Sequence, residues 1–407
     1  MSRHEKLPTD WDRVKLRKLV AIDKESLGAK TPPDYEFLYA SLSDVNSGVI
    51  NRDLPLIKFS DAPSRARRKV KKGDVLFSTV RPNLEGYARI NGQVNNLIAS
   101  TGFAVLSPKK ITDTDFIYQY LYSYDIKRQI YALVVGSNYP AVNSSDVANL
   151  KFSIPKSTSE RQAIADLLST WDEAIEKTER LIRAKEANLK GQIQKLISQR
   201  CDSWLHIKPK KIFDTITEKN FPDEELLSVT QDRGVIPRSM LEGRVMSPDG
   251  TTASYKLIKR GDFAISLRSF QGGIEYSNYQ GIISPAYTVL RPKIELNMDF
   301  YRLFFKSYLF IEKYLNLAVI GIRDGKQISI PDFLSIKIPV PPLEEQKEIA
   351  EALLICQHEI DLLKQLADKY KTQKRGLMQK MLTGIWRMPS VIIDQFSGIN
   401  EGDSSNE

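Results

Sequence analysis

The chain repeats itself, and the repeat constrains every later reading. GVI at 48–50 recurs at 234–236, and Lys72-Gly73-Asp74 is answered by Arg260-Gly261-Asp262. STGFAVLSPK (100–109) is answered by SPAYTVLRPK (284–293), and Asp115-Phe116-Ile117-Tyr118 by Asp299-Phe300-Tyr301-Arg302. ERQAIA (160–165) matches EQKEIA (345–350), and LKGQIQKLIS (189–198) matches KRGLMQKMLT (374–383). Chance does not keep that order over offsets of 184 to 188 residues. The chain is a tandem duplication of a unit made of a globular part followed by a helix.

Spacing defines the helices. Ile164, Leu168, Trp171, Ile175, Thr178, Ile182, Lys185, Leu189, Gln192 and Leu196 fall at alternating steps of four and three. Ile349, Leu353, Cys356, Ile360, Leu363, Ala367, Tyr370, Lys374, Leu377 and Met381 repeat the pattern 185 residues later. A heptad seam this long predicts a coiled coil of two helices of about 40 residues, each roughly 60 Å long. Prolines just upstream and early acids suit the helix starts. Expected boundaries are a first domain at 1–156, a helix at 157–200, a second domain at 201–342, a helix at 343–386 and a polar acidic tail at 387–407.

The globular parts read as α+β. Short strands such as GDVLFSTV (73–80), TGFAVLS (101–107), GDFAISL (261–267) and AYTVL (286–290) are separated by turn residues. Helical patterns follow at 116–133 and 300–318, their aromatics expected in the core, and glycine-led loops close each part at 136–142 and 321–328. A 42% hydrophobic fraction suits packed domains. No apolar run reaches membrane-span length, and MSRHEKLPTD is not a signal peptide, so a cytoplasmic protein is expected. Cys201 and Cys356 build no disulfide framework, and His4, His206 and His358 are too scattered for a metal cluster. The net charge of +9 favours a polyanionic partner.

In this order the motifs resemble the specificity subunit of Type I restriction-modification enzymes. WDRVKLRKL (11–19), KKGDVLFSTVRP (71–82) and ERQAIADLL lead the first half, and KRGDFAISL, IPVPPLEEQKEIAEALL and MLTGIWRM (381–388) carry the second. The likeness covers nearly all of the chain up to about residue 388. It implies two target recognition domains that each read half of a split, asymmetric sequence in double-stranded DNA. The long helices would pair antiparallel, with pseudo-twofold symmetry and a fixed unread gap in the target. It also implies two modification (methyltransferase) subunits and restriction (translocase and nuclease) subunits as partners. S-adenosylmethionine, ATP and Mg would be used by those partners, with no cofactor or metal on this chain.

Contacts follow from side-chain chemistry. Arg65, Arg67, Arg68, Lys69, Lys71 and Lys72 can neutralise phosphates without reading sequence. Base edges call for bidentate donors or amides, which nominates Arg81, Asn83, Asn138, Tyr139, Arg268, Gln271, Arg323, Lys326 and Gln327. No catalytic residue is nominated. TPPDY (31–35) lacks the leading amide or acid of an amino-methyltransferase site, and GIRDGKQ (321–327) misses phosphate-loop spacing. The competing reading is a coiled-coil scaffold that joins two protein-binding domains.

Overall fold

Each repeat folds around its basic residue–glycine–aspartate turn. In the computed structural model, which describes residues 7–46, 48–51, 53–92, 95–134, 140–241, 252–268, 272–321 and 326–397, Gly73 and Gly261 take φ of +88° and +96°. Only glycine holds that region without strain. The backbone N–H groups of Lys71 and Lys259 donate to Asp74 and Asp262 at 2.9 and 2.8 Å, which fixes both turns.

In the first repeat the strands used below are β1 (Trp11–Lys15), β2 (Val20–Ile22), β3 (Ala66–Val70), β4 (Val75–Ser78), β5 (Tyr87–Arg89), β6 (Phe103–Pro108) and β7 (Lys151–Pro155). The second contributes β8 (Leu205–Ile207), β9 (Phe213–Ile216), β10 (Phe263–Ser266), β11 (Glu275–Tyr276), β12 (Tyr287–Pro292) and β13 (Ile338–Val340). The turns launch β4 and β10 into four-stranded antiparallel sheets of the same order, β2-β6-β4-β5 and β9-β12-β10-β11. First and last strands of each domain also pair, Trp11 opposite Pro155 and Leu205 opposite Val340. That pairing returns the chain to its entry point just where a helix must begin.

The helices used below are α1 (Thr114–Leu121), α2 (Tyr124–Val134), α3 (Thr158–Ile193), α4 (Met298–Phe304) and α5 (Leu343–Met381). The pattern over 116–133 is two helices rather than one, because the Ser123 hydroxyl accepts the Ile126 N–H at 3.3 Å and restarts the helix. Ser307 does the same for Phe310 at 3.1 Å, after α4. Phe116, Tyr120, Phe300, Tyr301, Phe304 and Phe310 are buried as expected for core aromatics. Tyr124, Tyr131 and Tyr308 are not; they are 73%, 70% and 79% exposed, since the restarted turn faces them outward. No described helix is long and apolar enough to cross a membrane.

The chain divides into two compact units, residues 1–178 with 366–407, and residues 179–365. Each therefore holds one domain, part of α3 and part of α5. In the first, the contacts run from Glu160–Arg387 to Trp171–Tyr370, whose rings meet edge-on at 5.7 Å. In the second they run from Lys185–Glu359 to Arg200–Glu345. Numbers rise along one side as they fall along the other, so the helix segments within each unit are antiparallel.

The seam residues Ile164, Leu168, Ile182, Leu189, Ile349, Leu353, Ile360 and Met381 are buried, whereas Trp171, Ile175, Leu363, Tyr370 and Leu377 are half-buried. Leu196 needs correcting. The α-helix ends at Ile193, and residues Gln194–Ser198 form a π turn that wholly buries Ile197 and leaves Leu196 half-buried. An added residue per turn advances the seam by one position. Both helices end short of the expected 200 and 386.

Domain and helix are fastened by one side chain in each first helical turn. Arg161 donates to the carbonyl of Pro155 at 2.8 Å and holds Asp113 at 2.7 and 3.2 Å, with both residues buried. At the equivalent place Gln346 donates to the carbonyl of Pro341 at 2.8 Å and accepts the N–H of Asn297 at 2.9 Å. The first joint is ionic and the second neutral. Removing one partner of a buried ion pair costs about 3–5 kcal/mol, and orphaning a neutral buried group about 1–3 kcal/mol. Arg161→Ala should therefore lower unfolding stability more than Gln346→Ala. The exchange Asp113→Asn with Arg161→Gln, which copies the neutral joint, should restore most of the loss. Denaturant unfolding of the four proteins checks the order, and a double variant as unstable as Arg161→Ala would refute it.

Candidate nucleic-acid interface

The structure brings together loop residues that lie far apart in sequence, and does so twice. After β4 the chain runs through Thr79 and Val80 to Arg81, Pro82, Asn83 and Leu84. The Val142 N–H donates to the carbonyl of Thr79 at 2.9 Å, and the Arg81 N–H to the carbonyl of Pro140 at 2.7 Å. After β10, the Ile328 N–H donates to the carbonyl of Leu267 at 2.8 Å. Each domain thus ties the loop leaving its central strand to the segment that closes its glycine-led loop. Arg81 and Asn83 are placed beside residues 140–142, and Arg268 beside Lys326 and Gln327. All five of these side chains are exposed. Asn138, Tyr139, Gln271 and Arg323 lie outside the described residues.

The first loop is shaped by strained backbone. Arg81 and Glu85 have φ of 49° and 57°, the left-handed region that side chains rarely enter. Between them Pro82–Leu84 make a single 3-10 turn, whose Pro82 carbonyl accepts the buried Tyr87 hydroxyl at 3.3 Å. Such strain persists only where surroundings over-determine it, and it clusters at functional loops.

The basic run behaves differently from a uniform charged surface. Ala66–Val70 is strand β3, with Ala66 and Val70 buried on its inner face. Arg68 meets Asp23 at 3.0 Å, and the guanidinium of Arg67 lies over the Phe59 ring at 4.8 Å while donating to the Ala66 carbonyl at 2.8 Å. Lys71 stands 3.7 Å from Glu25. Arg65, Lys69 and Lys72 are exposed. The run is therefore half structural, with two arginines committed to the fold and the other basic side chains exposed to solvent.

Sequence reasoning passed over the outer face of α2. Tyr124, Lys127, Arg128 and Tyr131 recur at helical spacing and are all exposed. Lys127 pairs with Glu85 at 2.6 Å and so lays this face against the Arg81 loop. Polar residues at i+3 and i+4 between the tyrosines were the available signal. TPPDY serves as a turn: the Gly28 N–H donates to the Thr31 hydroxyl, and the Pro33 carbonyl accepts the Ser60 N–H.

The surface described can donate hydrogen bonds from arginine, lysine and amide side chains and present planar rings, the chemistry that polyanion and base-edge contacts require. Comparison with known proteins agrees in kind. The family model for the Type I restriction modification DNA specificity domain matches residues 8–186 and 248–371, more than half of the chain. A Methanocaldococcus jannaschii protein assigned as the type I restriction enzyme MjaX specificity subunit is 22% identical, over 93% of this chain and 94% of its own length. The MjaVIII specificity subunit of the same organism is 25% identical over 72% and 75%. Among solved structures, one from work on assembly and conformational transition of the type I restriction-modification system has a TM-score of 0.59 at 22% identity, covering 93% of this chain and 98% of that one. The type I S subunit from M. genitalium has a TM-score of 0.56 at 17% identity, covering 94% and 98%. Two copies of one domain, each closed on a long helix and each carrying the same loop construction, belong to the type I restriction-modification DNA specificity family, and the chain is a DNA sequence-recognition subunit of that kind.

Proposed function

We propose that the chain reads a bipartite, asymmetric DNA target with an unread gap of constant length, the first domain taking the 5′ half and the second the 3′ half. It directs adenine methylation or DNA cleavage performed by two modification subunits and by restriction subunits, and contributes no catalytic group of its own. Those partners use S-adenosylmethionine, ATP and Mg. The observation that supports this most is the recurrence of one loop-tying hydrogen bond, Val142 to Thr79 and Ile328 to Leu267, in two copies of one domain. Helices of 36 and 39 residues, about 54 and 58 Å by helical rise, are the elements whose length would set the gap.

Two experiments test the reading. In a filter-binding series against salt, with the modification subunits present, Lys69→Ala and Lys72→Ala should weaken binding alike on all sequences. Each should make the slope of log affinity against log salt shallower by about 0.9 for every phosphate that the lysine neutralises. Arg68→Ala should instead lower stability, because Asp23 loses its charge partner and keeps only the Val105 N–H and the Ser144 hydroxyl. A chain with no duplex affinity above background would be a protein scaffold. Exchanging residues 11–150 for another first domain should change only the 5′ half-site in the methylated motif read by methylome sequencing, and a change in both halves contradicts the assignment.

A further inference from the structure

Asp74 and Asp262 hold the same place in the two repeats. Each follows the turn glycine, takes a backbone N–H from three residues earlier, and is 2% exposed. In the second unit the carboxylate is answered by Arg291 of β12, whose Nε and Nη2 donate to Asp262 at 2.9 and 2.7 Å. The third nitrogen of that guanidinium, Nη1, donates to Glu218 at 2.9 Å.

The strand ladders identify the counterparts in the first unit. Leu290 pairs with Phe263 and Leu106 with Val75, so Ser107 stands opposite Asp74 where Arg291 stands opposite Asp262. Pro292 pairs with Phe213 and Pro108 with Val20, and counting five residues onward from each partner gives Glu218 and Glu25. Both carboxylates are kept, and the guanidinium between them has been replaced by a hydroxymethyl group. A cavity of about 210 Å³ lies there, lined by Asp74, Glu25 and Ser107 together with Lys24, Lys69 and Lys71. Burial pushes the Asp74 carboxyl above the usual range, opposed by hydrogen bonds from the Lys71 N–H and the Ser107 hydroxyl and by the Lys71 charge, while Glu25 adds to the rise. Lys71 comes no nearer to Glu25 than 3.7 Å, beyond hydrogen-bonding distance.

We propose that this cavity binds a guanidinium group, of free arginine or of an arginine side chain on a partner protein, seated between Asp74 and Glu25 as Arg291 is between Asp262 and Glu218. A planar fork of N–H donors is the group that satisfies a buried carboxylate bidentately. The exposed Lys24 and Lys69 suit the carboxylate of the free amino acid. Lys69 and Lys71 also belong to the basic run nominated for phosphate contact, so the assay contains no DNA.

The full chain is titrated with L-arginine, N-acetyl-L-argininamide and, as control, L-lysine at matched ionic strength, with calorimetry and thermal unfolding as readouts. Arginine should bind saturably and raise the unfolding midpoint, and lysine should do neither. Binding of the capped amide as well assigns the site to a protein side chain, and binding of free arginine alone assigns it to the small molecule. Asp74→Asn should weaken binding at least tenfold. Ser107→Arg, which rebuilds the second unit's arrangement, should abolish binding and raise the midpoint of the unliganded chain. The proposal is overturned if neither arginine compound exceeds lysine, or if folded Ser107→Arg has a lower midpoint than wild type.

Discussion

Each domain is fastened to its long helix by a contact between a proline carbonyl and a side chain in the first helical turn. Pro155 ends β7 and Pro341 directly follows β13, and their carbonyls accept from Arg161 and Gln346. Proline supplies no N–H, so the strand cannot continue its ladder, and its carbonyl needs a partner in a buried place. The adjacent acid completes the joint from the other side. Glu160, 2% exposed, accepts from Arg387 at 2.8 Å, and Glu345 accepts from the Trp204 ring nitrogen at 3.0 Å. One dipeptide, Glu-Arg in the first copy and Glu-Gln in the second, thus faces the domain with one residue and the closing segment with the other.

That arrangement explains why the first unit is discontinuous in sequence. Arg387 also pairs with Asp10 and holds its carboxyl below the usual range by a side-chain hydrogen bond. The segment after α5 therefore returns to the start of β1, as the segment after α3 leads into β8. Gly384, at φ +75°, sits where a Cβ would come within 2.7 Å of Pro8, so the return is made by close backbone approach. The core of the first unit accordingly includes Met378, Met381 and Leu382 beside Trp11 and Phe152.

The duplication, the helical seam and the strand identities were legible because each is written as a period: 185 for the repeat, alternating four and three for the seam, and two along the strands. What stayed illegible depends on partners remote in sequence. In RARRKVKK the strand alternation of Ala66 and Val70 is present, but Arg68 occupies an inward position only because Asp23 meets it there. Leu196 fits the heptad arithmetic, which holds for α-helical turns and fails at a π turn that no local residue announces. Tyr124 and Tyr308 look like core aromatics until a serine hydroxyl interrupts the helix one residue earlier. Arg81 and Asn83 were nominated for their chemistry alone, and only the bond from Arg81 to Pro140 shows which second segment they share a surface with.

The two copies also separate what the fold demands from what it tolerates. Glycine at the turn, aspartate after it and the backbone tie to the loop-closing segment persist in both, and each is a backbone requirement that few side chains can meet. Side-chain solutions have diverged beside them, an ionic joint against a neutral one, and Arg291 against Ser107. Loops carried on such a frame can change residues without disturbing the strands that launch them, because the hydrogen bonds that hold the loops use main-chain atoms. A loop surface built this way can vary in its side chains while its position on the domain stays constant.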